Sequence, residues 1–133
     1  MKKTKSVIGM LALVLLFSSA FNPVETGLKE GKQAPMLKLK NSEGAVTLRE
    51  LKGRYVLLNF WAAYDAPSRM ENIRFAREID KSEIENISLV SVSFDTSRKV
   101  FEETIKRDGL NTATQFYDKD GSQSDIFDNY RLN

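Results

Sequence analysis

The 133-residue chain has no cysteine and no histidine, three prolines and a single tryptophan. Each shortage closes off chemistry. Without a thiol there is no disulfide, no thiol–disulfide exchange, no peroxide reduction through a sulfenic acid and no thiolate metal site. Without an imidazole the commonest general base and the commonest zinc ligand are both gone. A lipid-modified N-terminal cysteine is excluded on the same count. The prolines are Pro23, Pro35 and Pro67, so no X–Pro bond, cis or trans, follows the middle of the chain.

What is present begins with a targeting signal. MKKTKSVIGMLALVLLFSSAFNP carries Lys2, Lys3 and Lys5, an uncharged apolar run from Val7 to Phe17, then small residues at Ser18, Ser19 and Ala20. That order reads as a secretory signal peptide over residues 1–20, cleaved after Ala20. The apolar run is shorter than the roughly 20 residues of a membrane span, and only an uncleaved segment would act as an anchor. The expected location is therefore the periplasm or cell envelope, a compartment where proteins are usually free to form disulfides. Removing residues 1–20 takes away three lysines and no acids, leaving 17 basic side chains against 18 acidic ones. The formal charge of +2 thus belongs to the signal. The mature chain, near neutral, gives no reason to expect nucleic acid or an anionic membrane as partner. Its length suits one domain with one core.

Residues 21–30 are polar and unpatterned and read as a linker, with the domain spanning 31–133. A short strand at Met36, Leu37 and Leu39 is followed by a turn at Asn41–Gly44 and a second short strand near Ala45–Val46. Thr47-Leu-Arg-Glu50 is a capping box and predicts a brief helical turn ending at Gly53. Tyr55 to Trp61 is a near-continuous apolar run, expected to be a strand buried on both faces of a parallel sheet. From Ala66 to Ile79 the period becomes helical, with Met70, Ile73, Phe75, Ala76 and Ile79 on the apolar side. Ile87 to Phe94 predicts a second central strand. Asp95 or Thr96 is expected to cap a helix over Arg98–Arg107 that Gly109 ends. Ala113 to Tyr117 reads as a short strand, and Ser122-Gln-Ser-Asp125 as a capping box opening a helix through Tyr130. The alternation predicts an α/β sandwich with parallel strands and right-handed crossovers.

Four stretches together resemble the thioredoxin-like superfamily, in particular the exported thiol-disulfide oxidoreductases of the TlpA/ResA type within the AhpC/TSA/redoxin-like group. Gly31-Lys-Gln-Ala-Pro35 is similar to that family's opening G-x-x-A-P, and Leu48 to Gly53 to its L-x-x-L-K-G turn. VLLNFWAAYDAPSR, residues 56–69, is similar to its V-L-L-N-F-W-A-x-W-C-x-P-C-R, and Ile87 to Asp95 to its next strand. The resemblance covers residues 31–133. It implies a three-layer sandwich around a central mixed sheet with an N-terminal β-hairpin extension. It also implies a cis-proline loop, a C-terminal hairpin and a last helix, for which the chain has no counterpart, so a shortened product without independent function is one reading.

The departures fall on the reactive atoms. Asp65 stands where the family has its nucleophilic cysteine, Ser68 where it has the resolving one, and Tyr64 where it has a tryptophan. In such a site the helix N-terminus stabilises a thiolate. An aspartate there supplies an anion without the reactivity, caps the helix, and leaves Pro67 in the tolerated first turn. Asp65 is expected to accept the Ser68 backbone N–H, and its hydroxyl as well. A serine nucleophile would need a base and an oxyanion hole, and no histidine is available. Asn59 occupies a position where some thioredoxins bury an acid; an amide cannot relay protons.

Weaker signals are set aside on spacing. Asp118-Lys-Asp-Gly-Ser-Gln-Ser-Asp125 resembles a calcium loop, but Gly121 comes too early and no glutamate closes it. No metal or other cofactor is therefore expected. The expectation is a redox-inactive binding or accessory protein holding an extended peptide or partner protein through Trp61, Tyr64, Asp65, Ala66, Pro67 and Ser68, although the resemblance implies that Trp61 more often packs partly beneath the motif. Descent from an oxidoreductase with an antioxidant or redox-homeostasis role is the alternative.

Overall fold

A computed structural model describes residues 23–132 of the chain; the signal-peptide reading falls on residues outside this range. Two compact units divide at Pro35. In the first, the segment expected to be an unpatterned linker folds back on itself. Gly27 N–H donates to the Gln33 carbonyl and Gln33 N–H to that of Glu25, both at 2.9 Å, and Lys32 pairs with Glu25.

The second unit begins with a hairpin, β1 (Lys38–Lys40) antiparallel to β2 (Ala45–Thr47), closed by Asn41. The Asn41 side chain accepts the N–H groups of Glu43 and Gly44, the self-bonding turn that asparagine favours. Half of the Thr47–Glu50 capping box forms, with the Glu50 carboxylate accepting the Thr47 N–H at 2.7 Å. It opens a run of turns rather than a helix.

β3 (Tyr55–Trp61), α1 (Ala66–Lys81), β4 (Ile87–Ser93), α2 (Arg98–Arg107), β5 (Gln115–Tyr117) and α3 (Asp125–Asn129) follow. The three strands form a wholly parallel sheet in the order β3-β4-β5. Both crossovers step in the same direction, so right-handedness puts α1 and α2 on one face. The hairpin and α3 cover the other, giving three layers.

The register places Val56, Leu58 and Phe60 beside Val90, Val92 and Phe94 on the hairpin face, around buried Leu37, Leu39 and Phe116. An aromatic group closes this layer. Phe60 stacks on Phe94 at 5.6 Å, Phe127 meets Phe94 edge-on at 5.3 Å, and Tyr130 lies tilted over Phe60 at 5.3 Å. Burial pushes the Tyr130 phenol above its ordinary pKa.

β4, not β3, is the strand buried on both faces. β3 is the outer strand among the described residues, and Tyr55 at its start is 74% exposed. Tyr55 N–H donates to Asn86 C=O and Trp61 C=O accepts from Phe94 N–H, so the odd residues of β3 bond to β4. By alternation, the backbone groups of Val56, Leu58 and Phe60 point outward.

The helix reading of α1 needs one correction. Met70, expected on its apolar side, is 64% exposed, and the fully buried position is Asn72. Asn72 sits at the centre of a polar cluster. Its carbonyl accepts from Ser91 Oγ (2.5 Å) and Asn59 Nδ2 (3.3 Å), and its amide donates to Gln115 Oε1 (3.0 Å). Asn59 also donates to Ser91 at 2.9 Å. Helix ends differ too. Ser97, rather than Asp95 or Thr96, caps α2 through Val100 N–H, and Ser124, rather than Ser122, caps α3 through Phe127 N–H. Gly109, at φ 64°, ends α2 as expected: Leu110 N–H returns to Ile105 C=O and Gly109 N–H to Lys106 C=O.

Truncating the hub, Asn72→Ala, strands buried groups on three strands. It should cost about 2–4 kcal/mol, read as a lower urea midpoint at unchanged slope. In hydrogen exchange, the amides of Leu89–Val92 should be the slowest in the chain.

Candidate functional site

The candidate site lies at the carboxyl end of the parallel strands, where α/β sheets place their ligands. β3 ends at Trp61, the chain turns through Ala62–Tyr64, and α1 starts at Ala66 with Asp65 as its N-cap. The Asp65 carboxylate accepts the Ser68 N–H at 3.1 Å, as expected from the sequence. The Ser68 hydroxyl behaves differently. It donates to the Asp65 backbone carbonyl at 3.1 Å and accepts the Ala62 N–H at 3.2 Å, bridging the strand end to the first helical turn. Pro67 occupies the first turn, where no helical N–H is lost.

Tyr64, Asp65, Ala66 and Pro67 are exposed, Tyr64 at 77%, and Ser68 is half-buried. Trp61, named with them from the sequence, does not share this surface. It is 2% exposed because its ring packs over Phe101 of α2, with centroids 6.2 Å apart. Its indole Nε1 has no hydrogen-bond partner among the described residues.

Three residues that hold the site were not assigned to it from the sequence. Asp95, 1% exposed, follows β4 and reaches sideways to the loop after β3. One of its oxygens accepts the Ala63 N–H at 2.8 Å and the other the Ser93 hydroxyl at 2.6 Å. The pairing of Trp61 with Ser93 puts the two strand ends side by side, so a polar residue just past β4 necessarily faces this loop. Arg69 and Asp108 make the other brace. The guanidinium donates to the carboxylate through both Nε (2.8 Å) and Nη2 (2.5 Å), fixing the start of α1 against the end of α2. The paired hydrogen bonds raise the Arg69 pKa against the opposing effect of burial. Only a sheet order that sets α1 beside α2 brings these two together, and nothing in their spacing signals it.

Chemically, the arrangement offers an exposed carboxylate on a helix N-terminus beside a hydroxyl committed to two backbone partners. Neither can form a reversible covalent bond to the other. Among the described residues no three acidic side chains gather as metal ligands would, and no helix is long and apolar enough to cross a membrane.

A three-layer sandwich with its motif between the end of a parallel strand and a capped helix defines a thioredoxin-like protein. The fold comparison agrees. A thioredoxin-like protein from Parabacteroides distasonis superposes with a TM-score of 0.67 at 38% identity, over 81% of this chain and 76% of that one. The thioredoxin domain of a thiol-disulfide oxidoreductase from Bacteroides vulgatus gives 0.69 at 25% identity, over 80% and 76%. The AhpC/TSA family profile matches residues 31–133, and the chain belongs to that family. Thioredoxin-like protein YneN of Bacillus subtilis is 32% identical over 102 residues, covering 71% of this chain. The thiol-disulfide oxidoreductase ResA of the same organism is 27% identical over 84% of it. The chain spans 59% of the length of YneN and 67% of that of ResA.

Two truncations rank the supports. Asp65→Ala removes a surface cap and should cost about 1 kcal/mol. Asp95→Ala leaves two donors without a buried acceptor and should cost about 2–3 kcal/mol. Thermal unfolding checks the order; equal losses would contradict the bracing role given to Asp95.

Proposed function

We propose that this chain is a redox-silent binding or accessory module of the cell envelope, derived from a thiol-disulfide oxidoreductase. Its exposed surface at Tyr64, Asp65, Ala66, Pro67 and Ser68 takes an extended peptide or a partner protein. The observation that carries the reading is the substitution itself. A carboxylate and a hydroxyl stand at the two motif positions of a family whose chemistry needs two thiols, and no cysteine exists elsewhere in the 133 residues. A disulfide bond must be made and broken between two sulfurs for this scaffold to move electrons. Asp65 and Ser68 serve helix α1 instead.

Two features support binding. Tyr64 presents a large exposed aromatic beside a rigid helix start, the kind of residue that anchors interfaces. The loop that carries it is held from beneath by Asp95 and Ser68, so little ordering is required when a partner arrives. The envelope location rests on the signal at residues 1–20, and a membrane enters only if that segment stays attached.

Reduction of insulin disulfides and consumption of hydroperoxide by the purified chain should both stay at background. The double substitution Asp65→Cys with Ser68→Cys should bring measurable insulin reduction. Turnover by the unaltered chain would overturn the proposal. A folded double-cysteine variant that stays inert would show that the site had lost more than its sulfurs.

A further inference from the structure

A concavity lies away from the motif. β1, α2 and the outer edge of β5 enclose a groove of about 910 Å3, and none of residues 64–68 lines it. Its volume falls within the roughly 300–1,000 Å3 of small-molecule sites. The wall is apolar, with Leu39 from β1, Phe101 and Ile105 from α2, and Leu110 and Ile126 from the segments that follow.

The backbone along the groove offers little. Asp118 N–H donates to Ser93 C=O, so Tyr117 turns its own N–H and C=O away from β4. The neighbouring Gln115 N–H is already taken by Thr112 C=O. A free edge this short cannot sustain the run of main-chain bonds by which a peptide adds as a strand.

The charges are lopsided. Arg98 is tied to Glu102 at 2.8 Å and Lys119 to Asp120 at 2.7 Å. The third acid, Asp118, is buried; one oxygen accepts the Asp120 N–H at 3.1 Å and the other has no partner among the described residues, leaving one acid unpaired on the groove. Lys38, Lys40 and Lys106 are exposed on the groove and form no ion pair among the described residues. Three unpaired lysines against one unpaired acid leave the apolar trough with a net positive charge, which suits an anion that also carries an apolar chain.

We propose that this groove binds an amphipathic anion, with an unbranched acyl chain laid along Leu39, Phe101, Ile105 and Leu110 and its carboxylate held between Lys40 and Lys106. The site is separate from the surface around Tyr64 and does not depend on the reading given for it.

The single tryptophan supplies the readout. Trp61 packs against Phe101, which forms part of the groove wall, so a filled groove alters its emission. Dodecanoate, titrated below its micellar concentration into the full chain, should change that emission saturably and give a one-to-one calorimetric isotherm. Dodecyltrimethylammonium, with the same chain and the opposite charge, should bind at least tenfold more weakly. Lys40→Glu with Lys106→Glu should lower dodecanoate affinity at least tenfold and leave dodecanol binding unchanged. The apolar run Val7–Phe17 is common to both proteins, so the difference between them reads the groove. If the reversed variant fails to fold by circular dichroism, Lys40→Gln with Lys106→Gln makes the same test, with a threefold or greater loss expected. No dodecanoate binding, equal binding of the cationic chain, or unchanged affinity in the folded variants would each overturn the proposal. So would binding of an acidic extended peptide in place of the acyl anion.

Discussion

Four side chains from four elements share one set of buried hydrogen bonds: Asn59 of β3, Ser91 of β4, Gln115 of β5 and Asn72 of α1. Burying amides is costly unless their donors and acceptors are met, and here each meets the others. A slip of one residue in any strand turns its polar member to the opposite, apolar face and leaves the rest unmatched. The cluster therefore fixes strand register and helix position at once. The motif inherits that precision, because Trp61, Ser93 and the first turn of α1 all lie within a few residues of the cluster.

Around the motif, a helix start suited to an anion is present and a thiol is not. A helix N-terminus favours an anion of any kind, and a carboxylate satisfies it as well as a thiolate would. The hydrogen bond from Ser68 N–H to Asp65 is the ordinary solution for a helix start. What sulfur adds is the capacity to bond to a second sulfur and to let go. The local fold does not need it: Ser68 and Asp95 brace the scaffold around Asp65 through the Ala62 and Ala63 N–H groups.

Much of this was legible in the residues. β3 and β4 announced themselves through uninterrupted apolar and β-branched runs, and Asp65, Pro67 and Ser68 through the rules for helix starts. The misreadings have physical causes. Periodicity weighs a side chain by its polarity, so it assigned Met70 to the core and overlooked Asn72, whose burial depends on partners from three distant strands. Proximity along the chain made Asp95 a cap for α2, but the parallel pairing offered it the unmet Ala63 N–H across the sheet. Trp61 was named with the recognition surface as an aromatic of the motif, beside the alternative that it packs beneath. The strand's alternation turns its ring toward Phe101. Side chains that act through tertiary neighbours leave no local signature.

The outward-facing backbone of β3 bears on how the protein keeps company with itself. Tyr-Val-Leu-Leu-Asn-Phe-Trp contains no charge, no proline and no glycine, the composition of segments that stack into cross-β fibrils. Natural edge strands are commonly shielded by a lysine, a bulge or an overlying loop. The stretch from 55 to 61 holds no such gatekeeper in its own sequence, so among the described residues this edge presents main-chain groups that another strand can pair with.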